Sequence, residues 1–443
     1  MQSAKELSGS LRILAVGTAL SQVFNLTLGV MIVRVLDPTE YGHYATLIAL
    51  ATIVAKFSDM GLPQAYIYFY RSEPRRLSAL LRLLVAVIVW SALIALVVVA
   101  IVGKQVLPFV SDFMRTPSAL AVLGILIVTG TIFNILLAMV MASGNYTFFA
   151  ALNIAINGLQ LALIGIAFAL NAVSLEFCLI LAAVAQLAVV VLMVVQVLRV
   201  VRRMEPLAIG SREVLSYGLR AQWGILIKQT SSRIELLFVA SALSPALVGM
   251  YSLANNIRDA GLLPLSIYMA PLQNLIIDRN RAGQLVEDRS AILGSILLQI
   301  ALGTVLTFIA ALALPLAVPL VFGQAYVPVV GPAIILFSSV IFIGAAGICW
   351  VAFNAKGRPE LTSLSLTLTG LLGPFVVYLM AIRYGLYGAS SASALMSVLL
   401  FVSSFTGLAR LERYVFTDLQ RALRRAPRFV SALIQHALAH PRG

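Results

Sequence analysis

Residues 220–235 read RAQWGILIKQTSSRIE, and on this stretch the choice of fold turns. It lies where an apolar segment must cross a membrane, yet it carries Arg220, Gln222, Lys228, Gln229, Arg233 and Glu235. A charge at the centre of a bilayer costs roughly 2.5 to 3.5 kcal/mol on insertion scales, so such groups normally face a watery interior or an ionic ligand. The segment is therefore a functional-site candidate.

The surroundings establish that it spans a membrane. Of 443 residues 61% are hydrophobic and only 11% charged, with a mean hydropathy of +1.00. A soluble core of this size needs more polar surface, which leaves an all-α integral membrane protein. A transmembrane barrel would alternate apolar and polar residues instead of running in long apolar blocks. Windows of about 20 apolar residues fall near 12–34, 44–68, 80–102, 118–142, 146–170, 174–198, 214–240, 247–276, 290–313, 328–353, 361–382 and 386–409. Twelve spans is the simplest count, and the first apolar run is too long for a cleavable signal peptide.

The net charge of +14 finds its first explanation in topology and not in nucleic acid, which is not expected as a partner. The N-terminus, the loops after even-numbered spans and the C-terminal tail hold 22 of the 31 Lys and Arg residues. The opposite loops hold only Arg34, Lys104, Arg115 and Arg383. By the positive-inside rule both termini are expected in the cytoplasm. Cys178 and Cys349 lie far apart in apolar segments, and His43, His436 and His440 form no cluster. No metal site, cofactor or catalytic group is therefore expected.

The chain also repeats. Pro38-x3-Gly42-x-Tyr44 follows span one, and Pro245-x3-Gly249-x-Tyr251 follows span seven. Asp59-Met-Gly61-Leu62 in span two matches Asp259-Ala-Gly261-Leu262 in span eight, and Ala142-Ser-Gly144 after span four matches Ala355-Lys-Gly357 after span ten. The expected organisation is an N-terminal lobe over 1–200, a cytoplasmic linker over 201–213, a C-terminal lobe over 214–410 and a basic tail over 411–443. Repeats of six spans share orientation, an arrangement that sets a cavity between two bundles. In the tail, Leu411, Val415, Phe416, Leu419 and Leu423 recur at helical spacing beside Arg421, Arg424, Arg425 and Arg428. It reads either as an amphipathic helix on anionic membrane lipids or as a solvated tail.

At 100° per residue, Gln222, Gln229 and Arg233 share one face of span seven, while Lys228 and Glu235 share another with Arg220 near them. Only one face need line a cavity. Span two adds Lys56 and Asp59, span eight adds Asn255, Arg258 and Asp259, and span one adds Gln22 and Asn25. The ion pairs and amides serve equally as interhelical glue or as ligand contacts. Lys56, Arg220, Lys228, Arg233 and Arg258 against Asp59, Glu235 and Asp259 leave a net cationic interior, suited to an anionic ligand such as a pyrophosphate. A carboxylate among cations can also load and release a proton as occupancy changes, which marks Asp59, Glu235 and Asp259 as coupling candidates.

These residues carry a resemblance. Arg34-Val-Leu-Asp-Pro38-Thr-Glu-Tyr-Gly42-His-Tyr44, then Asp59-Met-Gly-Leu-Pro63, Phe322-Gly-Gln-Ala-Tyr-Val-Pro328 and Ala355-Lys-Gly-Arg358 resemble bacterial Wzx-type polysaccharide exporters of the MOP (multidrug/oligosaccharidyl-lipid/polysaccharide) superfamily. The resemblance implies a MATE-like, two-lobed, twelve-helix flippase in the bacterial inner membrane. It would move an undecaprenyl-pyrophosphate-linked oligosaccharide by alternating access and do no covalent chemistry. A polysaccharide polymerase and a chain-length regulator are candidate partners. Two other readings compete: a MATE-like drug antiporter driven by H+ or Na+, which would favour carboxylates and aromatics in its cavity, and a membrane-embedded polymerase or glycosyltransferase, which would need acids, His or a metal in a sizeable loop.

Overall fold

A computed structural model describes residues 4–72, 77–104, 106–170, 173–201, 211–266, 269, 272, 273, 276 and 285–412. Among these every long element is an α-helix. The helices are α1 (Ala4–Val35), α2 (Pro38–Ser58), α3 (Leu62–Ser72), α4 (Leu77–Gly103), α5 (Pro117–Ala142), α6 (Tyr146–Ala169) and α7 (Leu175–Val201), followed by α8 (Ser211–Ala242) and α9 (Pro245–Ser266). Beyond them come α10 (Leu285–Val321), α11 (Val330–Ala355) and α12 (Pro359–Glu412). Backbone groups in a bilayer must be satisfied within the segment, and helices achieve this.

Among the described residues each apolar window falls on helix, the window 44–68 on both α2 and α3. Among the same residues seven helices are long and apolar enough to cross a membrane on their own, and the α2–α3 pair, bent by 47°, makes an eighth. The windows 361–382 and 386–409 share α12, which is 54 residues long and broken at Gly385 (φ 62°, ψ −146°). Windows 12–34 and 214–240 fall on α1 and α8, and residues 247–266 of the window 247–276 fall on α9. The basic tail beyond Glu412 and most of the 201–213 linker lie outside the described residues.

The chain divides into two compact units, Met1–Gly249 and Met250–Gly443. In the first, α1 and α6 run parallel, since Gly17 meets Ala150, Phe24 meets Gly158 and Met31 meets Gly165 in order along both helices. Leu62, Tyr66, Ile135, Leu136, Met193 and Val214 form a buried core that brings α3, α5, α7 and α8 together. The division at Gly249 places α8 in the first unit, beyond the 201–213 linker, because α8 packs along α2 and α3. In the second unit Ile292, Ile348, Cys349, Phe353 and Leu408 pack α10, α11 and α12 together.

The repeated motifs have structural roles. Asp37 caps α2 in a capping box: its Oδ1 accepts from the Thr39 and Glu40 amides at 2.7 and 2.9 Å, and Glu40 accepts from the Asp37 amide. Pro38 and Pro245 each open a helix, where a missing N–H costs nothing. The two Pro-x3-Gly motifs also meet one another. A Cβ on Gly42 would stand 1.8 Å from the Pro245 carbonyl oxygen, and one on Gly249 would stand 2.2 Å from that of Pro38. Gly144 and Gly357, at φ +76° and +70°, both end their helices in left-handed turns. The match of Asp59 with Asp259 does not hold as structure: the helix breaks after Asp59, whereas Asp259 lies within a continuous helix.

Candidate functional site

Lys56 and Asp59, three residues apart, do not lie on an unbroken span. Instead α2 ends at Ser58, Asp59 caps it, and Met60 (φ 49°) and Gly61 (φ 72°) turn left-handed before Pro63 helps restart the helix. A left-handed non-glycine residue is strained by about 1–3 kcal/mol. What holds it is visible on both sides. Asp59 Oδ1 accepts the Gly61 amide at 3.0 Å. A Cβ on Gly61 would stand 2.1 Å from the Gly218 carbonyl oxygen, so the turn lies directly on the α8 backbone.

Gln222 completes the junction. Its Nε2 donates to the Lys56 carbonyl at 2.7 Å and to Asp59 Oδ1 at 2.8 Å. The carbonyls of a last helical turn have no intrahelical donor, and a side chain from another helix supplies one here. Asp59 and Gln222 are buried and Lys56 is half-buried. Beyond Gly218, Tyr217 stacks on Tyr68 with centroids 4.4 Å apart, extending the α3–α8 contact. The structure thus brings Lys56, Asp59 and Gln222 to one buried polar point within the first unit.

The other expected residues stand as follows. Along the Gln222 face of α8, Thr230 is buried, Arg233 half-buried and Gln229 exposed. Arg233 comes within electrostatic reach of Tyr44. Arg220 is exposed and folds back on its own helix, its Nε donating to the Ser216 carbonyl at 3.1 Å. Glu235 is half-buried, while the Lys228 side chain lies outside the described residues. Gln22 is half-buried and Asn25 exposed on α1. In the second unit Arg258 is buried and grips Asp259 Oδ1 through Nε and Nη2 at 3.0 and 2.9 Å, while Asn255 is buried beside it.

Sequence reasoning missed a neutral polar seam. On α6, Asn153, Asn157 and Gln160 recur at i, i+4 and i+7. Ser21 of α1 donates to the Asn153 carbonyl and accepts from Asn157 Nδ2, and Gln160 Nε2 donates to the Tyr44 hydroxyl at 3.4 Å. The spacing was legible, but a search for charge passes over amides.

The chain is multi-spanning, helical in every long described element and broken in its second span, and solved structures share its fold. One is described as an inward-facing multidrug resistance MATE family transporter of the MOP superfamily: TM-score 0.67, 16% identity, 93% of this chain and 96% of that one covered. A second is the lipid II flippase MurJ in an inward closed conformation: TM-score 0.69, 11% identity, 96% and 92% covered. A third is the Vibrio cholerae MATE transporter VcmN in its bent form: TM-score 0.55, 16% identity, 97% and 100% covered. No curated protein matches significantly. A family model described as polysaccharide biosynthesis protein matches residues 31–331, and the chain belongs to that family. The family upholds the polysaccharide part of the resemblance, and the solved structures uphold its MATE-like fold.

Proposed function

We propose that the protein is a flippase that carries a polyprenyl-pyrophosphate-linked oligosaccharide across the bacterial inner membrane by alternating access, for surface polysaccharide assembly. Family membership supports the polysaccharide pathway, and the lipid II flippase among the fold relatives supports a lipid-linked cargo. The observation that carries the reading is the balance of five basic against three acidic side chains assigned to membrane depth. Lys56, Arg220, Lys228, Arg233 and Arg258 supply cations for a pyrophosphate. A drug exporter acting on cations would reverse that balance.

In this reading Gln22, Asn25, Gln222, Gln229 and Asn255 line the path, and Asp59, Glu235 and Asp259 are the sites at which proton uptake couples to transport. Both termini are cytoplasmic, and residues 1–200 and 214–410 form the two lobes joined by 201–213. The test is depletion of the protein in cells that make the polysaccharide. Lipid-linked repeat units should accumulate out of reach of a membrane-impermeant glycosidase added to spheroplasts. Units as accessible as in the wild type overturn the proposal.

A further inference from the structure

The amide seam on α6 has a chemical polarity. Asn153 Nδ2 donates to the Phe149 carbonyl at 2.9 Å, and Asn157 Nδ2 donates to the Asn153 carbonyl at 3.2 Å and to Ser21 Oγ at 3.0 Å. Gln160 Nε2 donates to Tyr44. A backbone carbonyl only accepts, so the nitrogens of both asparagines are fixed toward the protein. Their side-chain oxygens are then fixed the other way. Among the described residues Asn153 Oδ1, Asn157 Oδ1 and Gln160 Oε1 receive no hydrogen bond, and none of the three is sealed from its surroundings, each side chain being half-buried.

The row rises roughly 10 Å along the helix, and Asn157 lies about 17 Å from the start of α6, at mid-membrane depth. Unmet amide oxygens facing acyl chains would cost several kcal/mol. They are retained where something supplies donors.

We infer that Asn153, Asn157 and Gln160 form a binding row for the hydroxyl groups of the carried glycan, distinct from the cationic residues that take its pyrophosphate; this rests on the flippase reading above. Neutral carbonyl oxygens repel a pyrophosphate, which offers only acceptors and negative charge at neutral pH. Sugar hydroxyls are donors spaced along a chain, and a row of acceptors one helical turn apart meets them in succession. Tyr44, at the upper end of the row, lies in electrostatic reach of Arg233, so the hydroxyl-binding row and a cation for the phosphates adjoin.

The test uses the full chain in nanodiscs and two probes: undecaprenyl pyrophosphate, and the undecaprenyl-pyrophosphate-linked oligosaccharide purified from the producing cells. The wild type should bind the sugar-bearing probe more tightly. Asn157→Leu and Gln160→Met should each lose about 3- to 10-fold of that preference, the weight of one hydrogen bond, with undecaprenyl pyrophosphate binding unchanged. Gln160→Met removes only one contact with the protein and so serves if Asn157→Leu does not fold. A preference intact in the folded variants overturns the row, as does sodium-ion binding lost in them without change in the preference. Wild-type protein that binds neither probe overturns the flippase reading itself.

Discussion

Gln222→Leu removes a side chain that joins the broken second span to α8 through hydrogen bonds. Leucine nearly preserves volume, so packing changes little and the polar loss dominates. Two bonds disappear, at 2.7 Å to the Lys56 carbonyl and 2.8 Å to Asp59 Oδ1. A neutral buried hydrogen bond contributes about 1 kcal/mol net, and one to a charged acceptor about 1.5–3 kcal/mol. Asp59 keeps its bond from the Gly61 amide, so the carboxylate is not stripped entirely. The expected loss is about 3 kcal/mol. Reversible unfolding in mixed micelles, followed by circular dichroism during titration with dodecyl sulfate, measures it directly. A double-mutant cycle with Asp59→Ala should return a coupling of at least about 1 kcal/mol, since the two side chains touch. Stability within about 0.5 kcal/mol of wild type, or strict additivity in the cycle, would refute the junction.

Three further perturbations separate crossing, turn and ion pair. Gly42→Ala sets a methyl 1.8 Å from a backbone oxygen that cannot swing aside and should cost about 1–3 kcal/mol; Gly29→Ala, with nothing within 4 Å, should stabilise by about 0.5–1 kcal/mol, and equal effects in the same unfolding titration contradict the crossing. Gly385→Ala should destabilise by about 1–3 kcal/mol, because φ 62° with ψ −146° is a conformation essentially confined to glycine; limited proteolysis at the α12 break reports it. Glu412→Gln removes the negative partner of both Lys356 and Arg289, and breaking so buried a pair should cost about 3 kcal/mol, read as a lower unfolding midpoint that Lys356→Met partly restores.

The sequence made the helices legible because lipid demands long apolar windows, and those windows survive even where Gln and Arg interrupt them, as in α8. It also showed that Pro38-x3-Gly42 recurs as Pro245-x3-Gly249. That these two motifs cross one another could not be read from it, since a crossing depends on tertiary approach and the motifs lie some 200 residues apart. The break after Asp59 was signalled locally: an aspartate two residues before a glycine forms an Asx turn, and Pro63 cannot continue a helix from upstream. Reading each span by itself named Lys56, Asp59 and Gln222 but missed Gln222 as the partner of the other two. On α8 the helical wheel grouped Gln222, Gln229 and Arg233 correctly by angle. The amides of α6 escaped notice because insertion cost draws attention to charge, whereas their role lies in which atom of each amide the protein leaves free.

The flippase reading is tested most directly by reconstitution. Purified protein in proteoliposomes, with a labelled undecaprenyl-pyrophosphate-linked oligosaccharide initially in one leaflet, should bring the label within reach of an impermeant quencher on the opposite side. Arg233→Ala should slow that movement at least 10-fold while the protein still inserts. Transfer no faster than in protein-free liposomes, or full transfer by both Arg233→Ala and Lys228→Ala, would contradict a cationic path for a pyrophosphate-linked cargo.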